Sequence, residues 1–120
     1  MKKIVIAFDV DGTLIRNDSE KDMDGGTPIA NERIRSLLVT LASFKNVEII
    51  VWSGGGELYA RQVANSLGIS KYVSGYYTKN LIGRTPEGKH LFNPSVRPDI
   101  AIDDIQDCEL GVINLIVREK

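Results

Sequence analysis

The stretch Ile4-Val5-Ile6-Ala7-Phe8-Asp9-Val10-Asp11-Gly12-Thr13-Leu14 decides the reading of this chain. Its first five residues are apolar and rich in β-branched side chains, the signature of a short strand buried on both faces, as in a parallel sheet. Two acids follow at once. Asp9 and Asp11 would project to the same side of an extended chain, and Gly12 permits a turn that brings backbone close to a ligand.

Working outward, the same kind of run recurs at residues 47–52, 72–77 (weakened by Gly75), 99–102 and 112–117, which predicts five strands in all. Between them lie helical patterns. Ile34, Leu37, Leu38, Leu41 and Phe44 share one helical face, with Asn31 as cap and Glu32 at the positive helix start. Ala60, Val63, Ala64 and Leu67 make a second face, and Gly68 is placed to end that helix. Strands alternating with amphipathic helices imply right-handed crossovers and an α/β three-layer sandwich around an open, mostly parallel five-stranded sheet. Two segments break the pattern. The polar stretch ending in Gly25-Gly26-Thr27-Pro28 reads as a flap insertion at about residues 14–30, and Gly83, Pro86, Gly88, Pro94 and Pro98 make residues 80–98 a long loop with room for a hairpin.

The chain has 120 residues, 42% hydrophobic and 26% charged, which suits a single domain spanning residues 1–120. Fifteen basic residues against sixteen acidic ones leave a net charge of -1, so the basic footprint of nonspecific nucleic-acid binding is missing. Cys108 stands alone, without a partner for a disulfide or a Cys/His zinc cluster. No run approaches the ~20 apolar residues of a membrane span. The expectation is a soluble, cytoplasmic protein that does not engage membranes.

Asp9, Ser53, Lys79 and Asp103 fall at or just past the ends of the first four expected strands, where α/β sheets bind ligands. With Asp11 and Asp104, the crevice would hold four carboxylates. Such a cluster calls for a divalent cation and a Lys to neutralise it, and all-oxygen ligands shared with phosphate favour Mg²⁺. Ser53-Gly54-Gly55-Gly56 before a helix makes a phosphate cradle at that helix N-terminus. It lacks the Lys-Ser/Thr of a P-loop.

These motifs, in this order, resemble the haloacid dehalogenase superfamily of aspartate-nucleophile phosphohydrolases. The four elements read Asp9-Val10-Asp11-Gly12-Thr13, Val51-Trp52-Ser53-Gly54, Thr78-Lys79-Asn80 and Ala101-Ile102-Asp103-Asp104. The resemblance implies a Rossmann-like fold and a Mg²⁺-dependent phosphatase working through an aspartyl phosphate. It makes Asp9 the nucleophile, which also touches the metal, and Asp11 the general acid and base, with its backbone carbonyl on the metal. Ser53 and the Gly54 N–H would hold phosphoryl oxygens. Lys79 would offset their charge, with Lys89 as the alternative in that role. Asp103 and Asp104 would complete the metal site. Neither insertion is long enough for a full cap domain. By resemblance to capless members, an open crevice suits a bulky substrate such as a phosphorylated nucleic-acid end or protein, or closure by a second subunit in a homo-oligomer, with a small nucleotide or sugar phosphate as the alternative.

Weaker marks have plainer readings. Asp22-Met23-Asp24-Gly25 imitates the first motif without a preceding strand and reads as solvated loop. Asp107 reads equally as a metal-site support or an exposed helix-start acid. Lys79, Arg84, Lys89 and Arg97 near Tyr72, Tyr76 and Tyr77 offer a phosphate-polymer surface or ordinary charge beside a packed strand. Trp52 reads as core, His90 as loop, and Cys108 as a small buried group. A receiver-type phosphoacceptor domain shares several of these residues, but would need its Asp where this chain has Thr78 and Lys79. A catalytically silent phosphate- or metal-binding module would normally lack Asp9 or Asp11, and both are present.

Overall fold

The computed structural model describes residues 2–16, 28–84, 86–87, 90–92, 96–105 and 110–118. In chain order its elements are β1 (Ile4–Asp9), α1 (Glu32–Ala42), β2 (Val47–Ser53), α2 (Glu57–Leu67), a 3₁₀ turn (Ser70–Tyr72), β3 (Gly75–Thr78), β4 (Leu81–Arg84), β5 (His90–Phe92), β6 (Ile100–Asp103) and β7 (Ile113–Ile116). The five apolar runs make one all-parallel sheet in the order β3-β2-β1-β6-β7, the open Rossmann-like α/β arrangement expected from the sequence. The long loop does contain a hairpin, in which β4 and β5 pair antiparallel.

Register sorts the side chains into two layers. Ile6 and Phe8 of β1, Ile49 and Val51 of β2 and Ile102 of β6 face the same core as Leu38 of α1 and Ala60, Val63, Ala64 and Leu67 of α2. The alternate residues Ala7, Ile50, Trp52 and Ala101 form a smaller core on the other face. Both helices lie on one face because β1-α1-β2 and β2-α2-β3 step across the sheet in the same direction with the same hand. Among the described residues, Val96 and Leu110 pack on the opposite face instead of a helix. Trp52 is core, as expected, and its indole N–H is buried without a hydrogen-bond partner among the described residues.

Four local expectations need correction. His90, expected in a loop, starts β5 and pairs with Arg84. Asn31 is the N-cap of α1 by position, but its side chain makes no capping bond; its carbonyl accepts the Arg35 N–H at 2.9 Å and its own N–H donates to Leu14 at 2.8 Å. Phe44 lies past the end of α1 and is 53% exposed, because the chain turns at Ser43 towards β2. Tyr72 belongs to the 3₁₀ turn, and parallel pairing begins only where the Ser74 N–H reaches the Ile49 carbonyl at 2.7 Å. Gly68 does end α2, in the left-handed conformation with φ 71°.

The sheet is clamped at its amino end. Asp99 donates its N–H to the Val5 carbonyl at 2.9 Å, and its side chain accepts the Val5 N–H at 2.8 Å. The Asp99 carbonyl accepts from Ile113 at 2.8 Å, so one residue joins β1, β6 and β7. No helix among the described residues is long and apolar enough to cross a membrane.

Leu38 is the one fully buried side chain of α1, so Leu38→Ala should lower unfolding free energy by about 2–5 kcal/mol in urea denaturation. Leu58→Ala, at a site 66% exposed, should stay within about 0.5 kcal/mol of wild type.

Candidate metal centre

Strand order reverses between β1 and β6: the chain runs outward from β1 through β2 to β3, then returns to the other side of β1. In open α/β sheets ligands bind at such a switch point, beyond the carboxyl ends of the strands. Asp9 ends β1 and Asp103 ends β6. Each follows an alanine of the second face by two residues, so both carboxylates project to that side.

Lys79 joins them. It directly follows β3, where its N–H donates to the Ser53 carbonyl at 2.9 Å and extends the β2–β3 ladder by one residue. Its side chain is 3% exposed and donates to Asp9 Oδ1 at 2.6 Å and Asp103 Oδ2 at 2.7 Å. The remaining acceptors are also engaged: Thr13 Oγ1 donates to Asp9 Oδ2 at 3.2 Å, and the Ile105 N–H to Asp103 Oδ1 at 3.1 Å.

Asp104 completes the group. One carboxylate oxygen from each of Asp9, Asp103 and Asp104 lies within 4.8 Å of the others, close enough to hold a metal ion. Asp9 and Asp103 are buried and Asp104 is half-buried. Three carboxylates against one ammonium leave an excess of formal negative charge, which is what a divalent cation would balance. The electrostatics agree. Burial, then the neighbouring Asp103, raises the Asp9 carboxyl from its ordinary 3.8 to about 8, despite the opposing pull of Lys79. Burial and hydrogen bonding to Asp103 raise Asp104 as well. For Lys79 burial acts against the charge, but Asp9 and Asp103 outweigh it and hold the ammonium above its usual range.

Asp11 departs from the four-carboxylate expectation. The strand stops at Asp9, a turn starts at Val10, and Gly12 takes φ 79°, so Asp9 and Asp11 are not alternate residues of one extended strand. The half-buried Asp11 accepts a hydrogen bond from Tyr59 Oη at 2.8 Å, and its carboxylate is outside the three-acid group. Ser53 Oγ accepts the Gly55 N–H at 2.9 Å, which shapes the loop leading into α2. Gly54 is exposed at the rim of that loop, beside the helix N-terminus. Asp22, Asp24, Lys89, Asp107 and Cys108 lie outside the described residues.

The tyrosines do not form one aromatic surface. Tyr76 aligns with Val51 on the helix-covered face, under the Arg61 guanidinium at 4.5 Å, whereas Tyr77 aligns with Trp52 on the other face and lies over Gly75. Lys71 sits over Tyr72 at 5.2 Å.

No known family model matches the chain, and no curated protein matches it. The functional reading therefore rests on the site itself. Sequence reasoning missed Tyr59, which reads as a partly apolar residue of an amphipathic helix; the run of three glycines just before it was the available signal.

A carboxyl raised on folding takes up a proton. Between about pH 4 and about pH 8 the folded Asp9 keeps a proton that the unfolded chain has released, so stability is greatest at the acid end and falls as pH rises. Melting temperature in EDTA should decline across that window, and Asp9→Asn should flatten the slope. A divalent cation should also flatten it by displacing the proton.

Proposed function

We propose that this protein is a Mg²⁺-dependent phosphatase of haloacid dehalogenase type that works through an aspartyl phosphate. The observation that carries the reading is the buried Asp9–Lys79–Asp103 bridge, with contacts of 2.6 and 2.7 Å, at the switch point of a parallel sheet. It combines a carboxylate at a strand end with a fixed positive charge, the two features a phosphoryl group needs for in-line attack and charge stabilisation.

Asp9 attacks phosphorus, the bond to the leaving oxygen breaks, and Asp11 donates a proton to that oxygen. Asp11 then removes a proton from the water that hydrolyses the aspartyl phosphate. Ser53 and the Gly54 N–H hold phosphoryl oxygens at the start of α2, where the helix dipole favours an anion. Lys79 stays charged throughout, because its two carboxylate neighbours support the ammonium. Mg²⁺, held by Asp9, Asp103, Asp104 and the Asp11 backbone carbonyl, would neutralise the carboxylates and the developing charge on phosphate. Phosphorylated nucleic-acid ends are the leading substrate class, since neither insertion has the length of a cap, and nucleotides are the smaller alternative.

The test is phosphate release from nucleotides, sugar phosphates and 3′- or 5′-phosphorylated oligonucleotides, with Mg²⁺ or EDTA. Turnover should require Mg²⁺ and fall on the order of 10³-fold or more in Asp9→Asn. Absence of turnover on every substrate would replace the enzyme with a metal- or phosphate-binding module.

A further inference from the structure

We infer that Tyr59 is a positioning residue that holds the Asp11 carboxyl in one rotamer beside the Asp9 nucleophile. The inference rests on the phosphatase reading and extends it to a residue outside the resemblance. Three observations carry it. Tyr59 Oη donates to Asp11 Oδ1 at 2.8 Å, across 48 positions of sequence. The contact is half-buried, so water competes with it less than at an open surface. And the loop after β2 is built around the ring: a Cβ at Gly55 would stand 3.1 Å from Tyr59 Cδ2 and 3.4 Å from Ser53 Oγ.

A tether is needed because Asp11 lies beyond the end of β1, in the turn before Gly12, where the sheet ladder no longer aims its side chain. Tyr59 supplies that aim from the first turn of α2, the same helix whose N-terminus faces the phosphate cradle. In the first chemical step an Asp9 oxygen bonds to phosphorus. The leaving oxygen keeps the electron pair of the broken P–O bond and takes the proton from Asp11. Tyr59 keeps its own proton throughout. Its effect should therefore depend on whether the leaving group needs a proton.

Tyr59→Phe removes only the hydroxyl. The experiment compares kcat/KM, which reports the first chemical step, on p-nitrophenyl phosphate and on a nucleoside monophosphate. The first leaves without assistance and the second is an alkyl ester that requires it. The variant should lose at least about tenfold on the alkyl ester and less than about threefold on the aryl ester. NMR of the Asp11 side chain in metal-free protein should show one rotamer in wild type and averaging in Tyr59→Phe. Equal losses on both esters, no loss on either, or a single Asp11 rotamer without the hydroxyl would overturn the inference and leave the phosphatase reading standing. Wild-type turnover of no phosphomonoester at all would overturn both.

Discussion

Burying an ammonium between two carboxylates carries a large desolvation cost, recovered only when the geometry is close and the remaining acceptors are filled. Lys79 meets the first condition with contacts of 2.6 and 2.7 Å, and Thr13 and Ile105 meet the second by bonding the other oxygens of Asp9 and Asp103. The ends of β1 and β6 and the residue just past β3 are thus drawn to one point although the chain separates them widely. Asp104 adds a further carboxylate beside this bridge, and burial, with the Asp103 charge next, holds the Asp9 carboxyl well above its ordinary range.

Much of the fold was legible because burial on both faces leaves nearly continuous apolar runs, and those runs are short and end in charge or glycine. Ile4 to Phe8 and Val47 to Trp52 are read correctly on this basis alone. The failures lie at element ends. Tyr72 and Phe44 look like continuations of apolar segments, yet pairing with Ile49 and the turn at Ser43 set where those elements begin and end. Tertiary pairing overrode the pattern at Tyr72, and a local turn did so at Phe44.

The candidate site divides in the same way. Asp9, Lys79 and Asp103 were legible because each sits at or next to the end of a strand and strand ends share an edge of the sheet. Asp11 was legible by type but not by direction, since its aim depends on a turn and on a hydroxyl from another element. Tyr59 was hidden because an aromatic on an amphipathic helix ordinarily belongs to the core.

The Asp99 clamp lies at the end of the sheet opposite the carboxylates. Because it ties β6 to β1 through both backbone and side chain, it acts as the zero mark of a ruler whose other end carries Asp9 and Asp103. A slip of one residue there would displace Asp103 by about 3.3 Å and turn it to the other face of the sheet. The spacing of the charged group is therefore guarded from a distance, by a residue at the opposite end of the sheet.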